Sequence, residues 1–213
     1  MQKLKTGGSS GPDGFPPQLF KKLSGSLAKP LSLIYSSFVS VGCMPRAWAH
    51  ATVTPIYKSG SASTTSNYRP ISLTCVASKI MERVVVTDML VYLRRRGIIA
   101  KQQYGFLQGR STSSNLLETI NDWTMFINCK NCVTAAYIDF AKAFDTVCHN
   151  MLLHKLSAYG ISGNLLQWIE SFLTGRSQQT RVSQSFSNVT NLFSGIVQGS
   201  VLGLAAKHFV QEV

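Results

Sequence analysis

Residues 133–139 read Val-Thr-Ala-Ala-Tyr-Ile-Asp, and the interpretation of the fold depends on this stretch. A continuous apolar run, here from Val133 to Ile138, is typical of a strand that is buried on both faces of a sheet. Asp139 would then end that strand, where a carboxylate is costly unless it is paired, hydrogen-bonded or bound to a metal. Mg²⁺ is commonly held by one or two carboxylates together with substrate phosphates. Position alone leaves two alternatives open, a metal ligand or a helix-cap or turn residue.

The remaining acidic residues give less reason to expect a chemical role. The chain has nine of them in all, Asp13, Glu82, Asp88, Glu118, Asp122, Asp139, Asp145, Glu170 and Glu212. Most fall on the faces of expected helices, where contact with water is a sufficient explanation. No Asp follows Asp145 in the 213 residues. Asp139 therefore stands out from the other acids.

The charge of the chain points to a polyanionic partner. Lys and Arg number 21 against nine Asp and Glu, which gives a net charge of +12 and a pI near 9.7. Such an excess in a folded domain favours nucleic acid over a membrane surface. The hydrophobic fraction of 45% is typical of a globular protein and excludes a disordered tail. A merely basic protein with no such partner is the alternative.

No targeting or membrane segment is expected from the sequence. Residues 1–10 are polar and basic and lack the apolar core of a signal peptide. The longest apolar stretch, residues 195–206, is shorter than the ~20 residues of a membrane span and is interrupted by Gln198 and Ser200. We therefore expect no membrane partner and an intracellular protein, in the cytoplasm, the nucleus or both, that is not secreted.

The cysteines do not form a disulfide pattern. They are odd in number, at positions 43, 75, 129, 132 and 148, which favours reduced thiols. Cys129 and Cys132 have C-x-x-C spacing, and with His149 and His154 they could form a zinc site. No second close pair with zinc-finger spacing exists, so small residues flanking a strand are the simpler interpretation.

The periodicity of apolar residues predicts a two-lobed α+β arrangement. Helical spacing over 17–41, with a break near Lys29 and Pro30, predicts two short helices, and the patterns at 76–95, 112–128, 149–159 and 164–173 predict four more. The segments 51–57, 68–73, 133–138, 179–182 and 189–193 are expected strands, with Pro70 favouring an edge position for the second. Strands and helices do not alternate regularly, so a doubly wound parallel sheet is not expected.

Several blocks of the sequence, in the correct order, resemble the reverse transcriptases of non-LTR (LINE-like) retrotransposons. The segment 137–147, which contains Asp139, resembles their first catalytic block. The others are Gly11-Pro12-Asp13-Gly14 with Phe15-Pro16, Trp48, Pro55-Ile56-Tyr57-Lys58, Asn67-Tyr68-Arg69-Pro70-Ile71-Ser72-Leu73, Gln103-Tyr104-Gly105-Phe106 with Gly109-Arg110-Ser111-Thr112, and Ser194-Gly195-Ile196-Val197-Gln198-Gly199-Ser200-Val201-Leu202-Gly203. The resemblance spans residues 11–203. It implies an RNA-directed DNA polymerase that adds dNTPs to a DNA primer on an RNA template; it says nothing about oligomeric state.

The resemblance also implies roles for particular residues around the reacting nucleotide. Asp139 matches the catalytic metal ligand, and the carbonyl of Phe140 would complete the coordination of two Mg²⁺ ions that activate the primer hydroxyl and stabilise the leaving pyrophosphate. Phe144 matches the side chain that excludes a ribose 2′-hydroxyl; by periodicity alone it would be a core residue.

Five further residues match positions that contact substrate or nucleic acid. Lys58 and Arg69 match the residues that bind the incoming triphosphate, which suits a point charge and a bidentate guanidinium. Gln198 and Gly199 match a block that contacts nucleotide and template, where glycine permits close backbone approach. Arg110 and Ser111 lie in a template-facing block and would touch phosphate.

The fold implied by the resemblance is part of a right-hand polymerase. We expect a flexible lead-in over 1–10, a fingers-like subdomain over 11–130 and a partial palm over 131–213, with the thumb absent and the end after Gly203 divergent. The family's second catalytic block, an aromatic-Ala-Asp-Asp hairpin, is not found. The sequence therefore predicts a truncated chain that is inactive alone, and the alternative is a non-catalytic, basic nucleic-acid-binding remnant.

Overall fold

The computed structural model of the protein describes residues 1–105, 107, 109–139 and 143–203. Its helices are α1 (Pro17–Lys22), α2 (Ser24–Val41), α3 (Val76–Arg95), α4 (Thr112–Asn128), α5 (His149–Ala158) and α6 (Gly163–Leu173). Its strands are β1 (His50–Tyr57), β2 (Tyr68–Leu73), β3 (Arg176–Val182), β4 (Ser185–Phe186) and β5 (Thr190–Leu192). Helices and strands occur in the mixed order that the sequence predicts for an α+β protein.

The five strands form one mixed sheet. β1 pairs with β2 in antiparallel fashion and with β3 in parallel fashion, and β3 in turn pairs with β4 and β5. β2 lies at one edge, as Pro70 predicts, because a proline cannot donate a ladder hydrogen bond. The parallel pairing of β1 and β3 places side by side two strands that are far apart in the sequence.

The main hydrophobic core lies among α3, α5 and α6. Its deeply buried side chains include Trp168, Phe172, Met81, Leu93 and Leu156, each at most 2% exposed. Burial of such aromatic and aliphatic side chains is the dominant stabilising contribution to a fold of this size. A smaller second cluster, formed by Phe20, Val76 and Ala77, joins α1 to the start of α3.

The predicted break between the first two helices is misplaced. The chain bends at Leu23, and Pro30 lies inside α2 rather than between helices. An internal proline forfeits one backbone hydrogen bond. Packing of the following Tyr35 and Phe38 against the main core offsets that loss and keeps the helix continuous.

The most consequential correction concerns residues 133–138, which do not form a buried strand. The segment 131–139 has no regular secondary structure and is exposed throughout, with Tyr137 88% and Ile138 81% exposed. A strand requires a hydrogen-bonding neighbour, and in the described part of the chain the five strands pair only with one another. The apolar run thus indicates a preference of the segment for extended structure, but the segment does not form a strand here.

Helix α4 has the predicted bounds but not the predicted burial. Its apolar face was expected to lie against a core, yet Leu116, Leu117, Ile120 and Ile127 are 47–70% exposed, and only Trp123 is partly covered. The helix is stabilised locally by a capping box, in which Ser111 and Ser114 each bond the other's backbone amide. None of the helices in the described part of the chain is both long and apolar enough to cross a membrane.

The environments of the cysteines predict very different reactivities. Cys75 is buried, and burial, followed by the nearby Asp13 carboxylate, raises its pKa to about 11. Cys129, Cys132 and Cys148 are exposed. Since the thiolate is the nucleophile, iodoacetamide at pH 8 should alkylate the three exposed thiols at least ~100-fold faster than Cys75. Peptide mass spectrometry over a time course measures this, and equal labelling of Cys75 and Cys148 in the native protein would contradict it.

Candidate functional site

The segment 194–203 is the centre of the candidate site because three parts of the fold meet on it. On one side it contacts β2, where the amide of Ser72 donates to the carbonyl of Gln198 at 2.9 Å. Gly199 lies so close to this strand that a Cβ there would stand 3.1 Å from the carbonyl oxygen of Ser72. Gln198 and Gly199 are thereby fixed beside the strand that carries Arg69.

On its other side the segment is bound to residues 144–147. The amide of Ile196 donates to the carbonyl of Phe144 at 2.8 Å, and the amide of Gly195 donates to the carbonyl of Val147 at 2.9 Å. His149, at the start of α5, donates from Nε2 to the carbonyl of Gly195 at 2.6 Å. Phe144, half-buried against the main core, is therefore adjacent to the segment that contains Gln198.

The end of the segment is held by a buried carboxylate from α3. Oε2 of Glu82 accepts from the amides of Val201 and Leu202 at 2.8 and 3.2 Å, and its Oε1 accepts from the hydroxyl of Ser78 at 3.3 Å. The hydroxyl of Ser200 accepts from the amide of Gly203 at 2.8 Å. The amides of Val201, Leu202 and Gly203, which open this helical turn, are thus satisfied by side chains.

Glu82 and Arg176 place two opposite charges inside the same protein interior. Glu82 is 0% exposed, and burial raises its pKa, opposed by its backbone donors and by Arg176. Arg176 is 3% exposed and donates to the carbonyls of Phe172 and Trp48 at 3.0 and 3.2 Å. Burial lowers the pKa of Arg176, and the charge of Glu82 opposes that shift. Each charge partly compensates the desolvation of the other.

Lys58 and Arg69 lie on one face of the β1–β2 hairpin and are both exposed. Ile56 pairs with Arg69 across the two strands, and the amide of Lys58 donates to the carbonyl of Asn67 at 2.8 Å. Because side chains alternate along a strand, Ile56, Lys58 and Arg69 point to the same side. The side chain of Ile71, also on that side, reaches within 3.9 Å of the Cβ position of Gly199. Both cations therefore share a face with the candidate segment.

Arg110 and Ser111 have structural partners of their own. The guanidinium of Arg110 donates to the carbonyls of Lys101 and, at 2.7 Å, Gln103, and stacks 4.8 Å above the ring of Tyr104. With Arg94 and Lys101 it lines a cavity of about 300 Å³. Ser111 caps α4. The contacts among described residues do not join either side chain to segment 194–203.

Asp139 is an exposed carboxylate at the end of segment 131–139, and Phe140 lies outside the described residues. No three His, Cys, Asp or Glu side chains in the described ranges are grouped closely enough to hold a metal. This includes Cys129, Cys132, His149 and His154, so the zinc site drawn from sequence does not form there. One exposed carboxylate fits an ion shared with substrate phosphates, but it does not provide the ligands of a two-metal site.

The sequence interpretation missed Glu82, which was expected to lie on a solvated helix face. A signal was present: Glu82, Val86, Met89 and Leu93 follow the i, i+4, i+7, i+11 spacing of one helix face. The last three are buried, so the first lies on the core side as well. The roles of His149 and Arg176 could not be found this way, because each depends on a contact distant in sequence.

Comparisons with known proteins agree with the sequence resemblance. Residues 56–212 match the family described as reverse transcriptase (RNA-dependent DNA polymerase). The RNA-directed DNA polymerase from mobile element jockey of Drosophila melanogaster is 33% identical over 174 residues, 81% of this chain and 19% of that protein. The probable RNA-directed DNA polymerases from transposon BS and transposon X-element of the same organism are 32% and 28% identical, again over 81% of this chain and 19% of theirs.

The chain therefore spans about a fifth of the length of these curated relatives. The family match covers most of the chain, from the end of β1 onwards, and includes the segment on which β2, α3 and residues 144–147 meet. On this evidence the chain belongs to the reverse transcriptase (RNA-dependent DNA polymerase) family, among the LINE-like enzymes of non-LTR mobile elements.

Proposed function

We propose that the chain forms the fingers (residues 11–130, after a lead-in over 1–10) and part of the palm (131–213) of a retrotransposon RNA-directed DNA polymerase. Its substrates would be an RNA template, a DNA primer and dNTPs. The observation that supports this most directly is the hydrogen bond from Ser72 to Gln198, 2.9 Å long. It joins the strand that carries Arg69 to a block far away in sequence, as a shared nucleotide site requires.

The proposed substrate contacts follow from where the side chains lie. Lys58 and Arg69 are exposed cations on one face of the hairpin, suited to the oxygens of an incoming triphosphate. Gln198 and Gly199 continue that face, and the missing side chain of Gly199 lets this segment lie close against the backbone of Ser72. Phe144, bound through its carbonyl to Ile196, would present a flat apolar group to the sugar. Arg110 and Ser111 are proposed to contact template phosphates.

We assign Asp139, with the carbonyl of Phe140, to the ligands of Mg²⁺ in the complete enzyme. In this family magnesium would supply charge stabilisation at the primer hydroxyl and the leaving pyrophosphate. The chain has no Asp after Asp145 to act as a further ligand from that side. We therefore propose that the 213 residues alone do not extend a primer. No specific observation favours the alternative of a non-catalytic nucleic-acid-binding remnant.

Primer extension tests the proposal in two stages. The chain alone, with RNA template, DNA primer, dNTPs and Mg²⁺, should give no product. A hybrid, in which residues 56–203 replace the matching segment of the jockey polymerase, should extend the primer, because the remaining ligands are then present. Asp139→Asn in the hybrid should lower the rate at least ~100-fold, as expected for a direct metal ligand.

Asp122→Asn is the matched control, because Asp122 is an exposed acid on α4, and its rate should be unchanged. A folded hybrid without activity would contradict the proposed function. An Asp139→Asn hybrid as active as its parent would contradict the role of that carboxylate. Extension by the chain alone would contradict the proposed inactivity.

A further inference from the structure

Glu82 is a buried acid that nothing in the assigned substrate contacts explains. It is fully buried in the middle of α3, where a carboxylate is costly unless its oxygens are satisfied. Replacing a whole buried ion pair with apolar side chains is often neutral or stabilising, whereas removing Glu82 alone would leave the buried charge of Arg176 uncompensated. Stability of α3 alone is therefore a weak reason for a carboxylate at this position.

The partners of Glu82 indicate what its charge does. Of its three hydrogen bonds, two come from the backbone of another part of the chain, the amides of Val201 and Leu202 at 2.8 and 3.2 Å. The third comes from Ser78, one turn earlier on α3, at 3.3 Å. The carboxylate thus connects α3 to the helical turn that follows Gln198 and Gly199 directly.

Two independent attachments therefore hold the Gln198–Gly199 pair. The residues just before the pair are hydrogen-bonded to residues 144–147, and Gln198 itself accepts from the amide of Ser72. After it, Glu82 holds the amides of Val201 and Leu202. Ser200, which lies between these attachments, is 0% exposed. The second attachment depends on a single side chain.

We propose that Glu82 is a positioning residue, whose carboxylate fixes the turn at Val201 and so holds Gln198 and Gly199 against the strand that carries Arg69. This inference rests on the proposed function, because it assigns those residues to the nucleotide site. Glu82 itself touches no substrate. A Gln side chain can keep the two amide bonds through Oε1 and donate from Nε2 to Ser78, so it should substitute for Glu, whereas Ala cannot.

The experiment compares Glu82→Ala and Glu82→Gln in the full chain, with Glu118→Ala on exposed α4 as the matched control. Hydrogen exchange should be at least about tenfold faster at Val201 and Leu202 in Glu82→Ala, since bonds to a charged acceptor are lost. Exchange in α6 should rise less than at these two amides, because α6 is linked to Glu82 indirectly, through Arg176, which donates to the carbonyl of Phe172. In Glu82→Gln and Glu118→Ala, exchange at both amides should stay near that of the parent.

The second readout is photocrosslinking of 4-thio-dTTP to the jockey hybrid that carries residues 56–203, in the presence of Mg²⁺, an RNA template and a DNA primer. Crosslinking should fall at least fivefold in Glu82→Ala, which corresponds to roughly the loss of one hydrogen bond, and recover in Glu82→Gln. If Glu82→Ala does not fold, Val201→Pro replaces it. Proline fits the first turn of a helix but has no amide N–H to donate to Glu82. Hydrogen exchange at Leu202 should therefore become faster, and crosslinking should fall.

Each contrary result has its own meaning. Unchanged exchange at Val201 and Leu202 overturns the attachment. A rise throughout α6 as large as the rise at these two amides shows a general loss of stability instead, which overturns the attachment as well. Faster local exchange with unchanged crosslinking overturns the positioning role. If the parent hybrid gives no crosslink at all while exchange in the chain responds locally, the proposed function fails, and the role assigned to Glu82 fails with it.

Discussion

Gly195→Ala should destabilise the protein by about 3 kcal/mol or more, because alanine meets two separate penalties at this position. Gly195 has φ of +80°, which costs an L-residue roughly 1–2 kcal/mol. Its Cβ would also stand 2.9 Å from the carbonyl oxygens of Phe144 and Asp145 and from the Cα of Asp145. These are backbone atoms, which cannot rotate away. Segment 194–198 would have to leave residues 144–147, and Phe144 would lose its place beside Gln198.

Gly109 provides the control that separates the two penalties. It also has φ of +80°, but apart from its chain neighbours no described residue lies within 4 Å of its Cβ position. Gly109→Ala should therefore cost only the conformational strain, about 1–2 kcal/mol. Urea unfolding of both variants, followed by circular dichroism, measures the difference in free energy of unfolding. Equal losses for Gly195→Ala and Gly109→Ala would show that segment 194–198 does not pack against residues 144–147 as described.

Local pattern was sufficient to predict the helices that have strong periodicity. The bounds 76–95 and 112–128 were predicted and confirmed, because apolar spacing and the glycine after the first helix are properties of a short window. The edge position of β2 was predicted from Pro70 alone. The predicted helix break near Pro30 was wrong, because tertiary packing of the residues that follow the proline outweighs the loss of a single hydrogen bond.

Pairing could not be predicted in the same way. Residues 133–138 have the composition of a buried strand, but whether they form one depends on a neighbour that no local pattern specifies. The apolar face of α4 likewise predicted packing against a core, but in the described structure this face is exposed. The parallel pairing of β1 with β3 was not foreseen, because their partners are more than 100 residues apart in sequence.

In the candidate site, too, some residues were predicted from sequence motifs and others are found only in the folded structure. The resemblance named Arg69, Phe144, Gln198 and Gly199, and the structure brings their backbones together through bonds at Ser72 and Ile196. Those roles remain predictions, as does that of Asp139. Of the residues that hold the arrangement, Glu82 belongs to no motif used in the sequence analysis, and His149 was considered there only as a zinc ligand. Their contacts with the amides of Val201 and Leu202 and the carbonyl of Gly195 exist only once the chain is folded.

Trp168→Ala should be among the most destabilising single changes in the main core, with an expected loss of about 3–5 kcal/mol. Trp168 is 1% exposed, and its ring lies 5.9 Å from that of Phe172 between centroids. Truncation removes a large apolar surface and leaves a cavity among α3, α5 and α6 that rigid helices only partly fill. Because total stability of a domain is typically ~5–15 kcal/mol, much of the protein could be unfolded at 37 °C.

Trp168→Phe should cost far less, for two reasons. It retains most of the apolar volume, and it removes the indole N–H, which is buried and has no hydrogen-bond partner among the described residues. Phe193→Ala is the surface control: this side chain is 88% exposed, so the change should stay within about 0.5 kcal/mol. Urea unfolding by circular dichroism ranks the three variants. If Trp168→Ala lost no more than Phe193→Ala, Trp168 would not lie in the core, and the packing of α6 against α3 and α5 would be wrong.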